Sequence, residues 1–287
     1  MTQQTDSSAI KEQQRKDWGG AAESWRKNHQ QLQEVAAPVT RRMLEMAGVS
    51  TGQRVLDIAC GSGEPSLPAA RAVGSAGFVL ATDMAPEMLD VARDNARAQG
   101  ITNIEFRLVD GEELDVPPAS FDAVTCRWGV MFMPEPVRCL KQAYDALKPG
   151  GRIAVAVWGP PDRNPFLALP MGIARKYYQG PPLPDAMAPG GVFSFADRSR
   201  LQFVFEQAGF QDIQIDDMEL PMSVFASGQE FWDYAREFIA PLRRILDNMP
   251  QDVQETIGRE VAQAAPQGKP DGKVSLSGNP IFASARK

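Results

Sequence analysis

The chain is expected to fold as a doubly wound, Rossmann-like α/β protein built on a mostly parallel seven-stranded sheet. Three observations carry this expectation. Five short apolar runs alternate with amphipathic stretches between residues 54 and 158. The first run passes through a glycine turn into a helix. The length, 287 residues, suits one large core with a smaller cap. Apolar strands of this kind are covered on both faces, and right-handed crossovers gather their C-terminal ends along one edge, where ligands bind.

Taken in order, residues 8–48 read as helical, with Trp18 and Trp25 seven residues apart on one face and Gly48 as the stop. "RVLDIA" is the first strand and "EPSLPAARAV" a helix; "GFVLATD" is the second strand and "APEMLDVARDNARAQG" a helix that ends at Gly100. "IEFRLVD" and "FDAVTCRW" are the third and fourth strands. "PEPVRCLKQAYDALKPGG" is a helix closed by Pro-Gly-Gly, and "RIAVAVW" is the fifth strand. The composition then changes, since eight of the 23 prolines fall between Gly159 and Gly191, and this marks residues 159–196 as a cap over the sheet edge. Inside it, "NPFLALPMGIARKYY" carries an Asn cap and a proline at the first helical position. Residues 197–287 complete the core: a helix ("DRSRLQFVFEQAGF"), a strand ("DIQIDDMEL"), helical stretches near 227–248 and 250–264, and a last strand in "KVSLSGNPIFASARK". The domains expected are 1–48, 49–158, 159–196 and 197–287, the last with a helical insertion near 226–265.

Charge and composition exclude several classes. The net charge is −6, with 36 acidic against 30 basic residues and no run of lysine or arginine, which disfavours nucleic acid and anionic lipid as partners. The polar start reads as no signal peptide, and no 18-residue apolar run exists to span a membrane. Three cysteines without metal-like spacing suggest a reducing compartment, and a single histidine, His29, excludes a His-rich metal site. The expectation is a cytoplasmic protein that binds a small molecule and holds no metal. Oligomeric state leaves no trace in the sequence.

The chemistry begins at "VLDIACGSGE", residues 55–64. A strand feeding a helix through glycines presents backbone N–H groups and lets a ligand approach them closely. Two cofactor classes compete for such a turn. A dinucleotide site wants G-x-G-x-x-G or -A, but here Gly61 and Gly63 are followed by Ser66 in the third place, with Pro65 and Pro68 in the first turn. The pattern is instead Asp-x-x-x-Gly-x-Gly. Asp57 would repel a pyrophosphate, yet it can hold the loop and face a cationic amino group. S-adenosylmethionine carries an amino group and a sulfonium but no phosphate. Asp83, 22 residues after Gly61, can accept both ribose hydroxyls, Asp110 can accept from the adenine amino group, and Met84 offers the ring an apolar surface.

Together "VLDIACGSG", "ATDMAPEML", "VDGEELDVP", "FDAVTCRWGVMFMPEP" and "LKPGGRIAVAVW" resemble the class I S-adenosylmethionine-dependent methyltransferases, and among them the bacterial small-molecule enzymes related to the ubiquinone/menaquinone C-methyltransferases. The resemblance covers roughly residues 35–158. It implies a cofactor site made by Asp57, Ala59, Gly61, Gly63, Asp83, Met84, Asp110, Gly111, Arg127 and Trp128. An N-terminal lid would add Trp18 and Trp25. S-adenosyl-L-methionine would be the donor and S-adenosyl-L-homocysteine the product. Phe132, after strand four, and the aromatics Phe166, Tyr177, Tyr178, Phe195 and Trp232 are candidates for an apolar substrate pocket.

Methyl transfer is an in-line displacement on an already activated methyl, so the protein mainly aligns the reactants and keeps the site dry. The acceptor atom, O, N or C, is open. An oxygen acceptor usually needs a base, and the candidates are His29, or Glu206, Asp217 or Glu230 from the cap and tail. The alternatives to a methyltransferase are a nicotinamide-dependent oxidoreductase on the same fold and a protein that keeps the cofactor without methylating.

Overall fold

A computed structural model describes residues 7–180, 183–247, 249–266 and 273–287, the Ser223 side chain excepted. Pro181 and Pro182 of the expected cap lie outside the described residues. The main sheet has seven strands: β1 (Arg54–Ile58), β2 (Phe78–Asp83), β3 (Ile104–Leu108), β4 (Phe121–Arg127), β5 (Leu147–Trp158), β6 (Gln211–Asp217) and β9 (Pro280–Arg286). Their order is β3-β2-β1-β4-β5-β9-β6; β9 runs antiparallel to both β5 and β6, and the other pairs are parallel. In β1, Val55, Leu56, Asp57 and Ile58 are all buried, as a strand covered on both faces must be.

The crossover helices are α3 (Ser66–Val73), α4 (Pro86–Ala98), α5 (Pro136–Ala146) and α7 (Arg198–Gln207). They pack on the strands through rows of buried Ala, Val and Leu. The strand order reverses between β1 and β4, so their C-terminal ends diverge and open a crevice.

The N-terminal segment is two helices rather than one, α1 (Ser7–Lys27) and α2 (His29–Met46), broken at Asn28. Gly48 does end α2. At φ +67° it lets the Val49 N–H reach the Leu44 carbonyl and its own N–H reach Glu45. α1 lies across α4 and across α9 (Ala240–Leu246), held by Arg26–Asp94 at 2.5 Å and Arg244–Asp17 at 3.3 Å.

Two expectations for the second half need correction. The stretch "DIQIDDMEL" is divided between β6 and a further strand, β7 (Leu220–Phe225), and "KVSLSGNPIFASARK" is divided between β8 (Val274–Gly278) and β9. β7 and β8 pair in a separate two-stranded sheet, so the chain leaves the main sheet at Asp217 and rejoins it at Pro280. Between them come α8 (Gly228–Phe238), α9 and α10 (Gln251–Ala264), which pack with α6 (Pro165–Tyr177) into one layer. Asn164 sits at the head of α6 without capping it. Its buried side chain accepts the Asn279 N–H at 2.7 Å and donates to the Pro160 carbonyl at 2.8 Å, fastening the layer to the end of the sheet. Among the described residues, no helix is long and apolar enough to cross a membrane.

Candidate functional site

The loop after β1 is held by the loop after β2. Asp83 is buried, and one carboxylate oxygen accepts the Gly61 N–H at 2.8 Å while the other accepts the Ala85 N–H at 2.9 Å. Burial pushes its carboxyl above the usual range, and the backbone donors pull it back. Two non-glycine residues beside it adopt left-handed backbone, Ala59 at φ +56° and Trp128 at φ +57°. Such conformations persist where surrounding structure imposes them, and both residues line the cavity at the sheet edge.

That cavity encloses roughly 900 Å³ including its open mouth. Ala59, Gly61, Asp83, Met84, Asp110, Gly111, Arg127, Trp128, Trp18 and Trp25 all lie on its wall. Asp57 and Gly63 do not. Asp57 lies wholly inside the protein, accepting from the Thr125 hydroxyl at 2.7 Å and from the Ser66 hydroxyl. It therefore pins the start of α3 instead of facing a bound amino group. Gly63, at φ +107°, is required by conformation and space, because a Cβ there would meet Leu67 Cδ1 at 2.9 Å.

Burial pushes the Asp57 carboxyl up to about 7, against the opposing pull of Ser66, Thr125 and Arg127. A carboxyl raised in the folded state stabilises fully below its unfolded value near 4, and that contribution is lost as pH rises through about 7. Between pH 5 and 7 the wild type is expected to lose about 2 kcal/mol relative to Asp57→Asn, whose side chain does not titrate. Parallel denaturation-midpoint profiles for the two proteins would sink this assignment.

On the far side, Asp110 is not free. Lys11 of α1 lies 2.7 Å from its carboxylate and 2.6 Å from that of Glu112, and Asp110 also accepts the Glu112 N–H at 2.9 Å. Lys11 and Glu112 both line the cavity, as does Glu64. Glu64 accepts from Gln33 at 2.7 Å and, more weakly, from the Thr40 hydroxyl at 3.4 Å; Arg127 donates to that same hydroxyl at 3.0 Å. The Arg127 Nε is buried without a partner among the described residues. None of Lys11, Glu64 and Glu112 was visible as a site residue in the sequence. Glu64 directly follows the glycine loop, which is the signal that could have found it.

A second cavity of about 720 Å³, again counting its opening, abuts the first. Trp18, Trp25, Trp128 and Phe132 line both. Trp18 meets Trp25 and Phe132 edge-on at 6.0 and 5.3 Å, and Trp128 stacks on Trp158 at 4.5 Å. Phe166 joins this second wall together with Tyr234 and Phe238, which stack on each other at 4.0 Å.

Four expected pocket residues lie elsewhere. The Tyr177 hydroxyl donates to Glu260, and Tyr178 packs beside Gly180. Phe195 is buried beneath the Arg200 guanidinium, 5.6 Å from its ring centroid. Trp232 covers Gly258, where a Cβ would meet its Nε1 at 2.5 Å. None of the four lines either cavity.

None of the candidate bases lines either cavity, and the buried His29 Nε2 has no partner among the described residues. The His29 Nδ1 lies 3.2 Å from Asn95 Nδ2, which also donates to the Ser62 carbonyl at 2.9 Å. Burial first, then the nearby Arg127 charge, lowers its pKa, and through Asn95 it braces the glycine loop. Glu206 accepts from Gln202, Asp217 is paired with Arg163 and Arg198, and Glu230 closes the N-terminus of α8 with Ser227.

Residues 55–151 match the family described as "Methyltransferase domain". Aklanonic acid methyltransferase DauC of Streptomyces sp. (strain C5) is 42% identical over 121 residues, which is 42% of this chain and 55% of DauC. The ubiquinone/menaquinone biosynthesis C-methyltransferase UbiE of Cellvibrio japonicus is 39% identical over 122 residues, 42% of this chain and 49% of UbiE. The matches thus span about half the length of these curated relatives. Among solved structures, the YcgJ protein of Bacillus subtilis superposes with a TM-score of 0.56 at 20% identity, covering 86% of this chain and 97% of YcgJ, which shows a shared fold.

Proposed function

From the match of residues 55–151 to the methyltransferase domain family, we propose that the protein transfers a methyl group from S-adenosyl-L-methionine to a small, partly apolar molecule. The observation that carries this reading is the pair of abutting cavities with a common aromatic wall. One has the polar fittings of a charged nucleoside, and the other has almost none. The donor would lie in the first cavity, its ribose on Asp83, its adenine against Met84 and Gly111, and its amino-acid end between Glu64 and Arg127. Glu64 thereby takes the part first expected of Asp57. The sulfonium methyl would face Trp18, Trp25, Trp128 and Phe132, whose ring faces attract a cation.

Charge favours this ligand over a dinucleotide. Among the described residues, Glu64, Asp83, Asp110 and Glu112 line the first cavity against Lys11 and Arg127, a setting that opposes a pyrophosphate. The protein's part in the reaction is alignment and exclusion of water. Calorimetric titration is expected to give saturable binding of S-adenosyl-L-methionine and of S-adenosyl-L-homocysteine, and none of NAD. Binding of NAD with no response to either adenosyl compound would overturn the reading in favour of an oxidoreductase.

A further inference from the structure

The face of α2 turned toward the glycine loop is polar at helical spacing. His29, Gln33 and Thr40 stand at positions i, i+4 and i+11, with the buried Ala36 between them at i+7. None of the three polar residues lines the first cavity, yet each reaches the loop that does. His29 acts through Asn95 on the Ser62 carbonyl. Gln33 donates to one Glu64 oxygen at 2.7 Å, and the Thr40 hydroxyl approaches the other at 3.4 Å while accepting from Arg127 at 3.0 Å. One helix therefore holds both oxygens of an acid that is buried but still on the cavity wall.

A glutamate side chain free to turn would lose rotamer freedom whenever it gripped a ligand. α2 has removed that freedom beforehand, and each oxygen keeps a second lone pair for a further donor. Burial pushes the Glu64 carboxyl up, while Arg127, Gln33, Thr40 and Arg71 pull it back toward the ionised form. Resting on the methyltransferase reading, which puts the donor's amino-acid end beside Glu64, we propose that Gln33 and Thr40 are positioning residues: they aim the Glu64 carboxylate at the donor's ammonium and so set a preference for adenosyl thioethers that carry an amino group. α2 is then the back of the donor site, and its polar stripe works through Glu64 without touching the ligand. Gln33, the nearer donor, has the larger share.

Two ligands that differ in one group test this: S-adenosyl-L-homocysteine and 5′-S-(3-carboxypropyl)-5′-thioadenosine, which keeps the thioether and carboxylate but lacks the amino group. In calorimetry at pH 7.5 the wild type is expected to bind the first at least tenfold tighter, as one hydrogen bond between charged groups allows. Glu64→Gln is expected to abolish most of that preference. Gln33→Met, which keeps the length and loses the donor, should cut it about fivefold, and Thr40→Val about threefold; Thr40→Ser, which keeps the hydroxyl, should leave it intact. Affinity for the analogue should stay within twofold of wild type throughout, and adding Gln33→Met to Glu64→Gln should cost no further preference, because Gln33 acts through that carboxylate. Equal losses for both ligands, an unchanged preference in Gln33→Met, additive losses in the double variant, or a wild type that binds both ligands alike would overturn the proposal and leave the donor site standing. Should Gln33→Met fail to fold, the contrast between Thr40→Val and Thr40→Ser decides in the same way. Failure of S-adenosyl-L-homocysteine to bind the wild type would instead remove the methyltransferase reading.

Discussion

Replacing Asp83 with alanine is expected to weaken binding of S-adenosyl-L-homocysteine by at least a hundredfold. The side chain has two duties. Its oxygens already accept the Gly61 and Ala85 N–H groups at 2.8 and 2.9 Å, and each oxygen keeps a second lone pair for a ribose hydroxyl. Hydrogen bonds to a charged group contribute about 1.5–3 kcal/mol each, so losing two of them to the ligand alone reaches the hundredfold mark. Loss of the Gly61 tether adds to that by freeing the loop. Calorimetry on protein whose far-UV spectrum matches the wild type is the measurement. An affinity within fivefold of wild type would remove Asp83 from the donor site.

The positions of Asp83, Gly61 and Asp110 were legible because strand ends are local events. An apolar run that stops at an acid, followed by glycine or a helix start, places that residue at the sheet edge whatever the rest of the chain does. Asp57 shows where local reading stops. Strands covered on both faces bury every residue, so alternation gives no clue to whether a side chain points at the crevice or under a helix. Lys11 was invisible for another reason: it meets Asp110 from a helix almost one hundred residues earlier, and no spacing rule reports that approach.

The second half of the fold and its aromatics suffered from the same limit. The split of "DIQIDDMEL" between two sheets depends on long-range pairing with β8 and β9, not on the strand's own composition. Apolar helices such as α6 and α8 show which residues are buried but not against what. Phe166 reaches the second cavity, while Tyr177 on the same helix reaches Glu260. The same ambiguity hid Tyr234 and Phe238 among the other tail aromatics.

Arg127→Met is expected to produce the largest loss of stability at the site. The guanidinium is buried at 8% exposure and stands near two buried carboxylates, Glu64 and Asp57, whose ionised forms it favours. Its link to Glu64 passes through one hydroxyl, that of Thr40. Taking the cation away leaves buried negative charge uncompensated, which costs about 3 kcal/mol or more, whereas the lost packing is small because methionine retains most of the stem against Trp128. At roughly 2–4 °C per kcal/mol for a chain of this size, the thermal midpoint should fall by about 6 °C or more. If charge rather than shape is responsible, adding Glu64→Gln to the same protein should restore a substantial part of that loss, since it removes one orphaned carboxylate and keeps the acceptor for Gln33. Purely additive losses in the double variant would show that Arg127 and Glu64 do not interact, and the amino-acid end of the donor would then need another binding partner in the cavity.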